Sequence, residues 1–137
     1  MANKYIDVVA AVFVEGSEVY CFKRGNSKFE YLSNKFEFPG GKIERNEEKI
    51  DALKREIFEE LNVEIKVLEE LSEDEYQYPD FTVRISSFIC QSLSPTFTLK
   101  EHVELIKVPI KNMHNLEWLP ADIPSVNALK KWNNDRI

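Results

Sequence analysis

Cysteine is almost missing from this chain. Cys21 and Cys90 stand alone, with no CxxC pair and no neighbouring histidine at metal-ligand spacing. A disulfide framework and a thiolate metal centre are therefore excluded, and each thiol reads as a free one buried in a strand. Positive charge is short too: 18 Lys and Arg face 24 Asp and Glu, for a formal charge of −6. A nucleic-acid polymer needs a basic surface, so it is not expected as a partner. A single nucleotide is not excluded, because a metal ion and a few basic side chains can meet its phosphates. Long apolar runs are also absent. Val8 to Val14 is far short of the roughly 20 residues of a membrane helix and lacks a signal-peptide cleavage pattern. No membrane association is expected, and a cytoplasmic location is. Glycine is scarce as well, at four residues, yet two are adjacent at Gly40 and Gly41.

What remains is ordinary for a globular protein: 43% hydrophobic and 31% charged residues in 137, the size of one domain spanning 1–137. Such a chain is expected to act as a monomer or a homodimer. Tyr5 to Val14 reads as a strand buried on both faces, and Glu15-Gly16-Ser17 turns it into a returning strand, Glu18 to Phe22. Gly25 to Asn34 is loop-like, and Phe36-Glu37-Phe38 is a short strand. Val63 to Leu68 alternates as a strand. Glu69 to Asp74 reads as a loop or bulge, and Glu75 to Tyr78 resumes the strand. Phe81 to Cys90 returns, Val103 to Val108 is the last strand, and Ala121 to Asn133 is a helix. A mixed sheet with helices on its faces is the economical architecture.

The densest stretch runs from Gly40 to Val63. The glycine pair permits positive φ and close backbone approach. Asn46 is a suitable N-cap, with Glu47 and Glu48 near the positive end of the helix dipole. Ile50, Leu53, Ile57 and Leu61 form an apolar stripe, and Asn62 stands where a left-handed residue would stop the helix. Glu56, Glu59 and Glu60 share one helical face. A run of acids is usually a solvated surface. Three repelling carboxylates beside Arg55 also suit a hard divalent cation, Mg²⁺ or Mn²⁺, bound together with substrate phosphates.

Gly41, Glu47, Arg55-Glu56-Ile57, Glu59-Glu60 and Val63 fall at the spacing Gly-x5-Glu-x7-Arg-Glu-U-x-Glu-Glu-x-Gly-U, where U is aliphatic. This resembles the Nudix box, with Asn62 in place of its last glycine. The segments Lys35 to Glu44, Tyr76 to Asp80 and Leu119 to Pro124 are similar to the MutT-like nucleoside triphosphate pyrophosphohydrolases of that family. The resemblance implies a Nudix fold, an α/β/α sandwich around a mixed sheet. It also implies Mg²⁺- or Mn²⁺-dependent hydrolysis of a nucleoside triphosphate, ribo or deoxy, to the monophosphate and pyrophosphate. The alternatives are hydrolysis of another nucleoside diphosphate derivative, such as ADP-ribose or a dinucleotide polyphosphate, and a ligand-sensing domain of the same family without catalysis.

By the same resemblance Glu56, Glu59 and Glu60 bind metal, the Gly40 carbonyl is a further ligand candidate, and Gly41 and Glu47 support the site. Glu56, Glu59, Arg55 and Glu101 are the candidate catalytic residues. Glu101 is matched to an acid on a distant loop that completes the metal site or activates water. Arg24 and Lys42 resemble phosphate contacts, and His102 is the histidine nearest this group in sequence. Asp122 resembles a base-reading residue, against the alternative that it caps the last helix. An ionised Asp122 would accept from an amino group, as on cytosine, whereas a protonated one would serve an oxidised guanine; a broad or cytosine-type preference is expected over a strict one for 8-oxo-dGTP. Phe36 and Phe81 are candidate stacking partners, against the alternative that they are core.

Overall fold

The computed structural model describes residues 4–136. β1 (Tyr5–Glu15) is the hub of a seven-stranded mixed sheet. It runs parallel to β6 (Thr82–Ser92) from Tyr5↔Thr82 to Phe13↔Cys90. Its other edge is divided. Val8 to Ala10 pair with β4 (Gly40–Lys42), and Val14 and Glu15 pair with β2 (Glu18–Arg24). β2 carries β3 (Phe36–Glu37) and β7 (His102–Pro109), while β5 (Ile65–Gln77) lies outside β6.

The apolar run in β1 follows from this position. Side chains alternate across a strand, so Val9, Ala11 and Phe13 enter one core cluster while Ala10 and Val12 enter another. The first cluster lies under α1 (Lys49–Leu61), the second under α2 (Ile123–Asp135). The result is helix, sheet, helix, as expected for an α/β/α sandwich. Leu53, Ile57 and Leu61 are fully buried. Each contributes about 1.5–3 kcal/mol of burial and fixes the face that α1 turns to the sheet.

Four local expectations are corrected. Asn46 does not cap α1; it takes a left-handed φ of 64°, and the cap position falls to Glu48. Ile50 leaves the apolar stripe at 43% exposed, and Ala52 takes its place inside. Glu69 to Asp74 is strand, because register shifts at Val67/Glu69 and Glu70/Ser72 absorb extra residues without breaking the ladder. The glycine pair is strand as well, and neither member has positive φ. Asn62 is left-handed as anticipated, at φ 55° and ψ 40°, and its N–H bonds the Phe58 carbonyl at 3.0 Å. Among the described residues no helix is long and apolar enough to cross a membrane.

Candidate active site

Both glycines of β4 are required for lack of a side chain. A Cβ on Gly40 would strike the Val9 carbonyl, and one on Gly41 would strike the Glu56 carboxyl group. The strand therefore lies flat against β1 on one side and α1 on the other. That contact brings Glu56 to the mouth of a cavity of about 660 Å³, lined by residues of β1, β4, α1 and the segments before α2.

Arg55 organises the acids at one end. Its Nε and Nη2 donate to both oxygens of Glu47 at 2.8 and 2.9 Å, a bidentate fork. Nη2 also donates to the Lys42 carbonyl at 3.0 Å, and Nη1 to Glu56 at 2.8 Å and Glu59 at 3.4 Å. Glu47 in turn accepts the Glu44 N–H at 2.9 Å. These bonds hold the Glu47 carboxyl down at about 2, with Arg55 the larger cause, and they hold the Arg55 guanidinium above its ordinary value. Arg55 thus ties the helix to the strand and orients Glu56.

Glu60 is the opposite case. Its Oε2 is buried without a partner. Burial, followed by hydrogen bonding to Glu101 and the nearby Glu37 and Glu56 charges, pushes its pKa up to about 9. Glu101 reaches it because the preceding loop docks on the end of α1. Thr98 and Lys100 donate their N–H groups to the Leu61 and Glu60 carbonyls at 2.9 and 3.4 Å, which satisfies acceptors that a helix end leaves open. No three acids among the described residues are already gathered at metal distance. The donor chemistry nevertheless fits a hard divalent cation, since Glu56, Glu60, Glu101 and Gly40 line one cavity and one carboxylate oxygen there is orphaned. Glu59 is set apart: its side chain is 57% exposed, and it does not line the cavity.

Arg24, Lys42, Phe81 and Asp122 also line the cavity. Arg24 donates to Glu37 at 3.2 Å, and the other Glu37 oxygen accepts from His102 Nε2 at 2.9 Å. His102 is buried with its Nδ1 unpartnered, packed on Phe22 and outside the cavity lining. Asp122 is 3% exposed and makes no capping bond to α2. Burial, reinforced by the Glu37 charge, raises its pKa well above the carboxylate range, against a backbone hydrogen bond from Phe38. Phe36 lies elsewhere. It is buried against Trp118 at 6.2 Å and does not line the cavity; the core alternative describes its position. Sequence reasoning missed Glu37, Tyr78 and Leu119 as lining residues. Glu37 lay between two aromatics, and only its inward turn on β3 marks it.

The NUDIX domain family matches residues 4–136. The 8-oxo-dGTP diphosphatase of Escherichia coli K12 is 35% identical over 117 residues, covering 85% of this chain and 89% of that protein. The CTP pyrophosphohydrolase of the same strain is 27% identical over 125 residues, covering 91% of each. The solution structure of the E. coli ORF135 protein superposes with a TM-score of 0.82 at 25% identity, covering 98% of this chain and 94% of that one.

Proposed function

The chain belongs to the Nudix family of phosphoric-anhydride hydrolases, and from this we propose that it cleaves nucleoside triphosphates, ribo or deoxy, to the monophosphate and pyrophosphate with Mg²⁺. One observation carries the reading. A single cavity has acids and a glycine strand at one end and the buried Asp122 carboxyl group among aromatics at the other. Those ends suit a polyphosphate and a base.

Nudix hydrolases use divalent metal ions, and Glu56, Glu60, Glu101 and the Gly40 carbonyl are the groups that would hold them here. When bound, such ions offset phosphate charge and lower the pKa of the attacking water. The protein's own residues do the rest. Arg55 fixes Glu56, and Arg24 and Lys42 meet phosphate oxygens. Water adds across the anhydride: its oxygen joins one phosphorus as the bridging bond breaks, and Glu101 takes its proton.

Burial favours the neutral form of Asp122, which donates through its O–H and accepts through its C=O. That form suits a base edge pairing a carbonyl with an N–H, as in guanine and its 8-oxo derivative. The amino group of cytosine would instead favour the ionised form. The E. coli relatives are named for 8-oxo-dGTP and for CTP, so both bases belong in the test. Pyrophosphate release would be measured with Mg²⁺ across the common NTPs and dNTPs, 8-oxo-dGTP, 5-methyl-dCTP and ADP-ribose. Fast release from 8-oxo-dGTP or dGTP supports the reading. Preference for cytosine nucleotides would overturn the neutral Asp122. Turnover of ADP-ribose alone would overturn triphosphates as the substrate.

A further inference from the structure

Tyr78 follows the end of β5 and lines the cavity beside Asp122, yet the metal and phosphate chemistry gives it no task. It is 5% exposed. Its phenol oxygen accepts the Ala121 N–H at 3.1 Å, which ties it to the residue preceding Asp122. A phenol oxygen that accepts one bond still has its proton to donate, and that proton has no acceptor among the described residues. A buried donor left unspent at a cavity wall calls for an explanation.

The ring is held on several sides. Tyr31 stacks on it at 5.4 Å and 20°, and the Tyr31 hydroxyl donates to Asp80 at 2.6 Å. Phe81 leans on it at 5.4 Å, and the Tyr78 N–H closes a turn to the Phe81 carbonyl at 2.8 Å. The hydroxyl is therefore fixed in place. Burial pushes its pKa up to about 12, so it remains a donor at neutral pH.

We propose that Tyr78 is a specificity-determining residue that donates its hydroxyl proton to a carbonyl oxygen on the nucleobase, next to the edge read by Asp122. The inference rests on the nucleotide reading above. It assigns the ligand as an oxo-purine, with one acceptor facing Tyr78 and a mixed donor and acceptor edge facing Asp122.

The test uses binding of products, so that it does not depend on turnover. Calorimetry would compare dGMP, 8-oxo-dGMP, dCMP and dAMP on the wild type and on Tyr78→Phe, which keeps the ring and removes the hydroxyl. The oxo-purine monophosphates are expected to lose about tenfold in affinity, and dCMP and dAMP to move less than about threefold. The Ala121 amide resonance should shift, and the melting temperature should fall by a few degrees as that buried N–H loses its acceptor. An equal loss for every ligand, or none for any, would overturn the proposal. If the variant does not fold, the ligand supplies the comparison: the wild type should bind 6-thio-dGMP, which keeps the N1–H and puts a weakly accepting sulfur in place of the carbonyl oxygen, about tenfold more weakly than dGMP. Equal binding of those two overturns it as well. A wild type that releases no pyrophosphate yet still discriminates these monophosphates would sink the hydrolase assignment and leave Tyr78 standing.

Discussion

The two ends of the cavity are built by opposite means. At the phosphate end, Gly40, Gly41, Glu47, Arg55, Glu56 and Glu60 come from twenty-one consecutive residues, and most of them touch. At the base end, Leu32, Tyr78, Phe81, Leu119 and Asp122 come from three distant segments, joined by ring packing and the Ala121–Tyr78 hydrogen bond. Under the proposed function the first end places charge where a hard ion and phosphates need it, and its short sequence separation makes the spacing rigid. The second end has few polar atoms, so a change in one of them alters selectivity without touching the reacting bonds. On the proposed function, chemistry and choice of base are thereby separable.

The sharpest break in that comparison comes from the acids. Glu60→Gln and Glu56→Gln are each expected to lower kcat by about a thousandfold, the scale of removing a group that stabilises reacting charge. Glu59→Gln should cost about tenfold or less, because its side chain is 57% exposed and its bond to Arg55 is long at 3.4 Å. Steady-state kinetics on the three variants decides this. A Glu59 loss equal to that of Glu60 would mean that the reacting centre extends beyond the cavity lining.

At the other end, Asp122→Ala should reduce kcat/KM for the preferred nucleotide by about a hundredfold and leave the disfavoured ones within a few fold. A uniform fall would contradict the separation. Phe36→Ala should destabilise the fold by about 3–5 kcal/mol in urea and leave base ranking untouched, as its burial against Trp118 demands.

The smallest effect is on thermal stability without metal. Glu60 lies near 9 in the folded protein and at its ordinary 4.5 when unfolded. Between those values the folded chain holds the extra proton. The contribution is therefore full below about 4.5 and is lost as pH rises through about 9. Glu60→Gln, which cannot ionise, should raise the metal-free melting temperature at pH 8 by on the order of 5 °C and flatten its decline with pH. Divalent metal should stabilise the wild type more than the variant, read by the same melting curves.

The phosphate end was legible because its information is local. Helical spacing alone places Glu56 beside the apolar stripe, and Asn62 carries the one left-handed conformation needed to stop α1. Misreadings there were also local. Asn46 suited a cap, but the chain enters α1 two residues later. Gly40 and Gly41 were read for positive φ and for close approach, and only the close approach holds. At the base end, residue type was uninformative. Phe36 and Phe81 are the same residue type, and only the tertiary path of β3 against the turn before β6 separates a core ring from a cavity wall. Glu37 escaped notice because its partners, Arg24 and His102, lie 13 and 65 residues away.

The docking of the 98–100 backbone on the last turn of α1 has a further consequence for how the molecule breathes. Thr98 and Lys100 donate to carbonyls that would otherwise face solvent, so the loop and the helix end open together. Amide exchange at Thr98 should then keep pace with exchange in the last turn of α1. Extra residues inserted before Thr98, around Ser94, should be absorbed as slack. The same insertion between Thr98 and Glu101 would unseat Glu101 from the cavity wall, where it is proposed to take the proton of water.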